Sequence, residues 1–501
     1  MMKIPIWLTG LILFLRISAK AQDSSLPMDA IAGKYETGYQ TIWIEDYSRT
    51  WGSGPRPIRI NAWYPAEQGG ARMLFEQYVF PQTPKGFEQY SQIMVRRDIG
   101  DSSRSLHGLF KGASREFDKL LQSASLSIEN APHAKGPFPV VIYSLGQDDY
   151  SQENTILCEL LASHGYIVLS VPQMGVSPRK STLMIDEEQS FNAQTRDLQY
   201  AIAEAYHFPE ADVSKIGCIG MSMGAVYGLL TAFQNNNIRL LIGLDPSYLY
   251  SYESYGYKYW QSPFYDEWNL KIPIVSLYRD DPQVNDEMIR KLKFSNRHLI
   301  KFPNLVHADF TSYPIYTLLT PPTELDDYAL KHRSQKEAAN GYSLICKTVI
   351  HSLDRYLKGD SSIVIAAHND DFLKGIQCPS EEEFAAIIQD QGTEAACQVF
   401  EAARNKYPND TLIRQKKIRR IGFEFYLDGD IKDAIGIYTL YTKAYPATAD
   451  AWSNRGEMYM LEREMEKAKL DFQHAIELDP GDTEAKKMLD KINQSHSTPP
   501  L

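Results

Sequence analysis

Seven short apolar runs lie between residues 58 and 302, and amphipathic helical patterns separate them. They are IRINAWY (58–64), FPVVIYS (138–144), YIVLSV (166–171), KIGCIG (215–220), RLLIGL (239–244), IPIVSL (272–277) and HLIKF (298–302). Several are apolar without alternation, which is typical of strands in a parallel sheet that helices cover on both faces. The pattern predicts a doubly wound α/β domain with a mostly parallel sheet.

Past residue 375 the strand pattern ends, and alanine-rich amphipathic helices follow. Several residue pairs recur 34 positions apart: Gly422 and Gly456, Ala434 and Ala468, Tyr438 and Phe472, Pro446 and Pro480. The last unit has the residues of a tetratricopeptide repeat: Trp452, Gly456, Tyr459, Ala468, Phe472, Ala475 and Pro480. An earlier, more degenerate unit ends at Pro408. Residues 375–495 are therefore predicted to form an all-α region of tetratricopeptide-like repeats, which bind a protein partner or pack on the first domain.

The N-terminus has the pattern of a secretory signal peptide. Lys3 precedes an apolar run that ends at Leu15, and Ala19-Lys20-Ala21 has the form of a cleavage site. The run is too short for a membrane-spanning helix, and no other segment is long and apolar enough to be one. We predict a cleaved signal peptide at 1–21, a periplasmic or secreted protein, an α/β domain at 22–374 and no transmembrane segment.

Charge and cysteine content argue against a nucleic-acid partner and against a metal site. The net charge is −11, from 52 basic and 63 acidic residues, which argues against a nucleic-acid partner. The five cysteines form no C-x-x-C pair and lie in no histidine cluster, so no metal site is predicted. Spacing leaves open whether Cys378 and Cys397 form a disulfide bridge.

The segment Gly220-Met221-Ser222-Met223-Gly224 matches the G-x-S-x-G pattern of a nucleophile elbow. A predicted strand precedes it and a helical pattern, AVYGLLTAF, follows it, which is the context that this motif requires. Such a turn exposes the serine hydroxyl and directs the next backbone N–H at a developing oxyanion. Ser222 is therefore predicted to be a nucleophile, with the N–H of Met223 as an oxyanion donor.

A serine nucleophile needs a base, and the base needs an acid. Among the histidines of the α/β domain, only His307 combines a loop setting with a position after the last predicted strand. Asp245 follows the strand after the elbow, whereas Asp280 and Asp281 follow the next strand. Both placements satisfy the chain order Ser, Asp, His. The residues alone leave the acid open between them.

The α/β domain resembles the platelet-activating-factor acetylhydrolase group of α/β-hydrolases, relatives of the dienelactone hydrolases, from about Gly33 to Leu357. The similar segments are GKYETGYQTIWIEDYSR, RPIRINAWYPAE, FPVVIYSLGQDDYS, ELLASHGYIVLSV, GMSMGA, IGLDPSYL and VHADF. The resemblance implies an α/β-hydrolase fold with Asp245 as the acid and His307 as the base. It also implies that the backbone N–H of Gln147 is the second oxyanion donor. The chain departs from the family at Leu145, where the family normally has histidine.

Together these features predict an exported serine hydrolase that cleaves carboxylic esters through an acyl-enzyme, without a metal or organic cofactor. Ser222, Asp245 and His307 are the predicted catalytic residues. The expected substrate is a small or lipid-like ester, but the sequence does not separate an esterase from an amidase or peptidase. The aromatic run at 246–268 is interpreted either as a pocket or lipid-contact lining or as a packed insertion.

A second hypothesis rests on Leu145. It holds that the domain is a catalytically weak binding module whose repeats recruit a protein partner. Labelling by a fluorophosphonate separates the two hypotheses, since it requires an activated serine.

Overall fold

The computed structural model describes residues 31–100, 106, 108–110, 114–182, 188–250, 258–319, 333–365 and 370–495. The predicted signal peptide lies outside the described residues. None of the helices in these ranges has both the length and the apolar character needed to cross a bilayer.

One ten-stranded sheet organises the first part of the described chain. Its strands are β1 (Glu36–Trp51), β2 (Gly54–Ala66), β3 (Ser127–Glu129), β4 (Phe138–Ser144), β5 (Ile167–Ser170), β6 (Ala211–Met221), β7 (Ile238–Leu244), β8 (Ile274–Arg279), β9 (Arg297–Phe302) and β10 (Asp370–Leu373). The strand order is β10-β9-β8-β7-β6-β4-β5-β2-β1-β3. The six strands from β9 to β5 are mutually parallel, and β1, β2 and β10 add antiparallel edges. The predicted mostly parallel sheet is confirmed, with all seven predicted strands in it.

Helices cover both faces of this sheet. In chain order they are α1 (Glu76–Val79), α2 (Glu88–Asp98), α3 (Ser114–Leu121), α4 (Thr155–Ser163), α5 (Glu188–Glu204), α6 (Met223–Gln234), α7 (Glu287–Lys291), α8 (Tyr313–Tyr316) and α9 (Gln335–Tyr356). Successive residues of β4 point to opposite faces: Val141 packs with α4 and α9, whereas Val140 packs with α5 and α6. This two-sided burial explains why the central strands read as continuous apolar runs.

Seven helices follow the sheet within the described residues up to 495. They are α10 (Glu381–Gln391), α11 (Thr393–Lys406), α12 (Gln415–Asp428), α13 (Ile431–Ala444), α14 (Ala449–Leu461), α15 (Met465–Leu478) and α16 (Thr483–Ser495). A Cβ added at Gly422 would lie 2.5 Å from the Tyr438 ring, and one added at Gly456 would lie 3.1 Å from the Phe472 ring. The recurring glycine therefore leaves room for the recurring aromatic residue of the paired helix. The predicted helical repeat region is confirmed.

The repeats pack against the sheet domain through a shared apolar cluster. Phe294, which precedes β9, is buried together with Phe384 of α10, and Trp268 packs at the edge of the same cluster. All five cysteines of the chain are buried free thiols, so no bridge joins Cys378 to Cys397.

Candidate active site

Ser222 lies at the junction between β6 and α6, where the backbone takes an unusual conformation. Its φ is 52° and its ψ is −121°, a region that non-glycine residues rarely adopt. The Ser222 N–H donates to the carbonyl of Leu244 at 2.9 Å, and the Ser222 carbonyl accepts from the N–H of Ser247 at 3.0 Å. These bonds tie the turn to the end of β7 and fix the strained backbone. The structure therefore has the sharp strand-to-helix turn that the motif predicted.

The flanking glycines allow this turn because neighbouring backbone comes very close to them. A Cβ at Gly220 would collide with the backbone of Ala225 in the first turn of α6. A Cβ at Gly224 would collide with the carbonyl groups of Ser144 and Leu145, at the end of β4. The second glycine thus lets the loop after β4 press against the start of α6.

The structure brings Asp245 and His307 together. Asp245 follows β7 directly, with φ of 42°, and its side chain is completely buried. His307 begins a 3-10 turn after β9, and its Nδ1 lies 2.5 Å from Asp245 Oδ2. The hydrogen bond through Nδ1 leaves Nε2 for a substrate or nucleophile. Within the described part of the chain, no hydrogen bond joins Ser222 to His307; the Ser222 hydroxyl lies 3.3 Å from Ser247 Oγ.

The alternative acids lie elsewhere. The Asp280 side chain is 62% exposed and forms an ion pair with Lys301 at 3.1 Å. Asp281 pairs with Arg279 at 2.8 Å. Neither carboxylate contacts His307 among the described residues, so the geometry favours Asp245 as the partner of His307.

Arg279, the last residue of β8, is a third member of this group. Its Nη1 forms an ion pair with Asp245 Oδ2 and lies 3.3 Å from His307 Nδ1. Its backbone N–H donates to Asp245 Oδ1 at 3.2 Å, and the Tyr250 hydroxyl donates to the same oxygen at 2.5 Å. The guanidinium also lies over the Tyr250 ring, 4.6 Å from its centroid. Asp245 is consequently surrounded by donors.

These donors determine the charge of Asp245. Burial by itself raises the pKa of this carboxyl, but the hydrogen bond and charge of His307 and the charge of Arg279 lower the pKa more. The net pKa lies below the ordinary aspartate value, and Asp245 is a carboxylate. The neighbouring carboxylates raise the pKa of Arg279, although its burial opposes them.

The predicted oxyanion donors lie on the other side of Ser222. Met223 is the first residue of α6, and N–H groups in a first helical turn have no partner within the helix. Gln147 lies in the loop after β4, whose backbone touches the elbow at Gly224. The structure thus places Met223 within the elbow and the beginning of the Gln147 loop against it.

Comparisons with known proteins agree with this architecture. Residues 115–252 match the family described as Chlorophyllase, a stretch that includes Ser222 and Asp245 and ends before His307. Residues 449–482 match the tetratricopeptide repeat. The chain contains an α/β-hydrolase domain. The predicted α/β-hydrolase resemblance and the predicted repeats are confirmed, while the finer placement among the acetylhydrolases stays a prediction.

No curated protein matches the sequence. Among solved structures, a ferulic acid esterase from Streptomyces cinnamoneus is similar, with a TM-score of 0.48 and 18% identity. The similarity covers 68% of this chain and 98% of that chain.

Sequence reasoning missed three residues beside the candidate site: Ser247, Tyr250 and Arg279. Two of them follow Asp245 within five residues, in the aromatic run that was interpreted as a pocket or a packed insertion. Arg279 directly precedes Asp280, and only the pairing of β7 with β8 brings it beside Asp245. The sequence signal that could have revealed Arg279 is a charged residue at the end of a buried strand.

The Leu145 side chain packs in the core beneath the site. It is 1% exposed and belongs to the apolar cluster on the α4 face of the sheet. The aromatic run is partly outside the described residues, at 251–257. Its described residues Tyr248, Tyr250, Tyr259 and Trp260 line a cavity of about 570 Å³ beside α7.

Proposed function

We propose that this protein is an exported serine hydrolase that cleaves carboxylic esters through a Ser222, His307, Asp245 triad. The observation that carries the proposal is the strained turn at Ser222 on β6, with the 2.5 Å Asp245–His307 contact at the ends of nearby strands. This is the side-chain set that acyl transfer by a serine requires.

In the proposed reaction, Ser222 Oγ attacks the ester carbonyl carbon while His307 Nε2 takes the hydroxyl proton. The N–H groups of Met223 and Gln147 stabilise the resulting oxyanion. The C–O bond to the alcohol then breaks, and His307 returns the proton to the departing alcohol. Water repeats the sequence on the acyl-enzyme and releases the acid. Asp245 orients His307 and stabilises its imidazolium throughout.

Fluorophosphonate labelling of the purified protein tests this proposal. We expect one labelled peptide containing Ser222 and no labelling of Ser222→Ala. Ser247→Ala is the matched control, because Ser247 Oγ is the neighbouring hydroxyl at 3.3 Å, and this variant should still be labelled. Labelling of Ser222→Ala, or none of the wild type, would contradict the proposal.

The substrate proposed is a small or lipid-like ester. Turnover of p-nitrophenyl esters from acetyl to decanoyl measures the preferred acyl length. Inclusion of the corresponding amides separates an esterase from an amidase. Equal turnover of ester and amide would contradict the ester assignment.

One observation favours the alternative of a catalytically weak binding module. Arg279 binds the same oxygen of Asp245 as His307 does, which weakens the support that the carboxylate gives to an imidazolium. In that case the wild type would resist labelling, and the repeats would carry the function.

The tetratricopeptide repeats are proposed to bind a protein partner. Export is proposed from the N-terminal pattern. N-terminal sequencing of the protein recovered from the periplasm or the medium should then begin near Gln22, whereas an uncleaved cytoplasmic product would contradict export.

A further inference from the structure

A buried glutamate lies directly beneath the loop that follows β4. Glu153 is completely buried, and the N–H of Gly146 donates to both of its carboxyl oxygens at 3.0 Å. The Tyr143 hydroxyl donates to Oε1 at 2.8 Å. The backbone carbonyl of Glu153 accepts from the N–H of Ser312, just beyond the turn that carries His307. Glu153 therefore connects the loop to the body of the domain.

A second carboxyl approaches the same peptide unit. A Cβ at Gly146 would collide with Asp149 Oδ2 and would lie 3.1 Å from Glu153 Oε2. The N–H of Asp149 donates to the Gly146 carbonyl at 3.3 Å. An oxygen of each group lies close to the same point, so the Asp149 and Glu153 carboxyl groups are neighbours. Two neighbouring carboxylates repel each other, which favours a proton on one of the two.

The surroundings determine which member holds that proton. Burial first, and then the charge of Asp149, raise the pKa of Glu153 well above its ordinary value. Among the described residues, Tyr143, Tyr150 and Cys158 also face Glu153, and burial raises the pKa of each. Burial and the neighbouring carboxyl therefore favour the proton on Glu153, which reduces the charge of the pair.

We propose that Glu153 is a positioning residue which, sharing one proton with Asp149, holds Gly146 so that the next N–H, that of Gln147, points at the oxyanion. The inference rests on the proposed function. A neutral acid can accept the Gly146 N–H without adding a second negative charge beside a developing anion. Loss of the shared proton places two negative charges together, pushes the carboxyls apart and releases the loop.

Two substitutions at Glu153 test whether its hydrogen-bond acceptors, rather than the volume of its side chain, hold the loop. Glu153→Leu removes both acceptors, and kcat should fall about 10²–10³-fold, the usual loss for one oxyanion donor. KM should change little, because the donor acts on the transition state. Glu153→Gln keeps an acceptor for Gly146 and can donate its amide to Asp149. It should restore most of the lost turnover.

The pH profile of kcat is the readout that a merely structural role would not change. In the wild type, loss of the shared proton should lower kcat at alkaline pH. Glu153→Gln cannot lose that proton, and Asp149→Asn removes the second charge, so both variants should abolish this alkaline loss.

Glu159 of α4, two turns beyond Glu153 along the chain, offers a matched control. It is buried, with a pKa raised to about 7 by burial, but its carboxyl accepts from Tyr78, Ser127 and the N–H of Leu126, away from the loop. Glu159→Leu should lower the melting temperature and leave kcat unchanged in the folded protein.

The inference would be overturned if Glu153→Leu kept wild-type kcat, or if Glu153→Gln were as slow as Glu153→Leu. If Glu153→Leu does not fold, the pH profiles of Glu153→Gln and Asp149→Asn decide, and an unchanged alkaline limb overturns it. Fluorophosphonate labelling of the wild type distinguishes a failure of the proposed function from a failure of this inference. A wild type without Ser222 labelling removes both the proposed function and the inference, whereas a labelled, active wild type leaves only the inference at risk.

Discussion

The two sides of Ser222 each contain a buried carboxyl group, and their neighbours are of opposite kinds. On the acid side, Asp245 is surrounded by donors from His307, Tyr250 and Arg279, and its pKa is lowered. On the oxyanion-loop side, Glu153 faces a second carboxyl, and its pKa is raised. Burial alone would raise the pKa of both groups. The comparison shows that the partner, more than the burial, decides which side of the nucleophile is charged.

The two sides therefore respond to pH in opposite directions. Asp245 has a folded pKa below its unfolded value, so its contribution to stability is present above the unfolded pKa and is lost as pH falls through the folded pKa. Glu153 has a folded pKa above its unfolded value, so stability falls as pH rises from the unfolded to the folded pKa. Acid should weaken the Asp245 side, and alkali the Glu153 side.

The largest expected effect comes from breaking the acid side. Asp245→Asn keeps the shape of the residue but favours the wrong tautomer of His307, and kcat should fall about 10⁴-fold, the loss that this change causes in an established triad. Asp280→Asn is the matched control, because Asp280 is exposed and pairs with the surface residue Lys301. Both variants are measured on one small ester. A severe loss at Asp280 with normal turnover at Asp245 would reverse the assignment of the acid.

The oxyanion-loop side, which is the loop after β4, can be displaced without substituting a carboxyl group. Gly224→Ala would push its Cβ against the carbonyls of Ser144 and Leu145 and displace the loop. We expect kcat to fall about 10²-fold or more, as when an oxyanion donor is lost. Gly228→Ala, one turn later in α6, is the control, because its Cβ would lie 2.8 Å from the Cys218 sulfur, away from the loop.

Thermal unfolding of Gly224→Ala and Gly228→Ala measures how much stability each variant loses. Each alanine should lower stability by about 1–3 kcal/mol through overpacking. Only Gly224→Ala should also lower turnover. If the two variants lost kcat equally, the loop displacement would not be the cause.

The parts of the molecule that the sequence predicted are those governed by local patterns. Continuous apolar runs such as FPVVIYS identify strands that are buried on two faces, and the Gly220 to Gly224 motif identifies its own turn. The strand β1 was missed because polar residues interrupt its pattern, among them the exposed Glu45 and the buried Asp46. The strand β10 has four residues, too few for a periodic signal.

The sequence predicted the candidate site only where a residue or motif has a recognisable local pattern. Chain order left Asp245 and Asp280 equivalent, and the resemblance favoured the residue that the structure brings to His307. Arg279 and Glu153 have no local signature. Their roles depend on neighbours that lie 34 and seven residues away in the chain, which only tertiary packing specifies.

A smaller effect should follow from a substitution that leaves Asp245 more available to His307. Arg279→Met removes a cation that competes with the imidazolium of His307 for Asp245. The imidazolium is then stabilised and Asp245 is less ionised at low pH, so the acid limb of kcat/KM should move to higher pH. We expect a shift of about one pH unit, equivalent to about 1.4 kcal/mol. Lys301→Met, which removes an exposed cation, should leave the limb in place. A limb that stays or moves to lower pH in Arg279→Met would contradict this.

The smallest effect on turnover is expected from removing the repeats, because they belong to neither side of Ser222. A chain ending at Pro379 keeps β10 and the bond from the N–H of Ile376 to the Lys293 carbonyl. Its kcat on a small ester should stay within about twofold of the full chain, since distant sites couple by about 0.5 kcal/mol or less. The cut uncovers Phe294, so the truncated protein should be less soluble, and Phe294→Ser in the same truncation should restore solubility. A soluble truncated protein with strongly reduced kcat would show that the repeats support the site, because the loss could then not be attributed to aggregation.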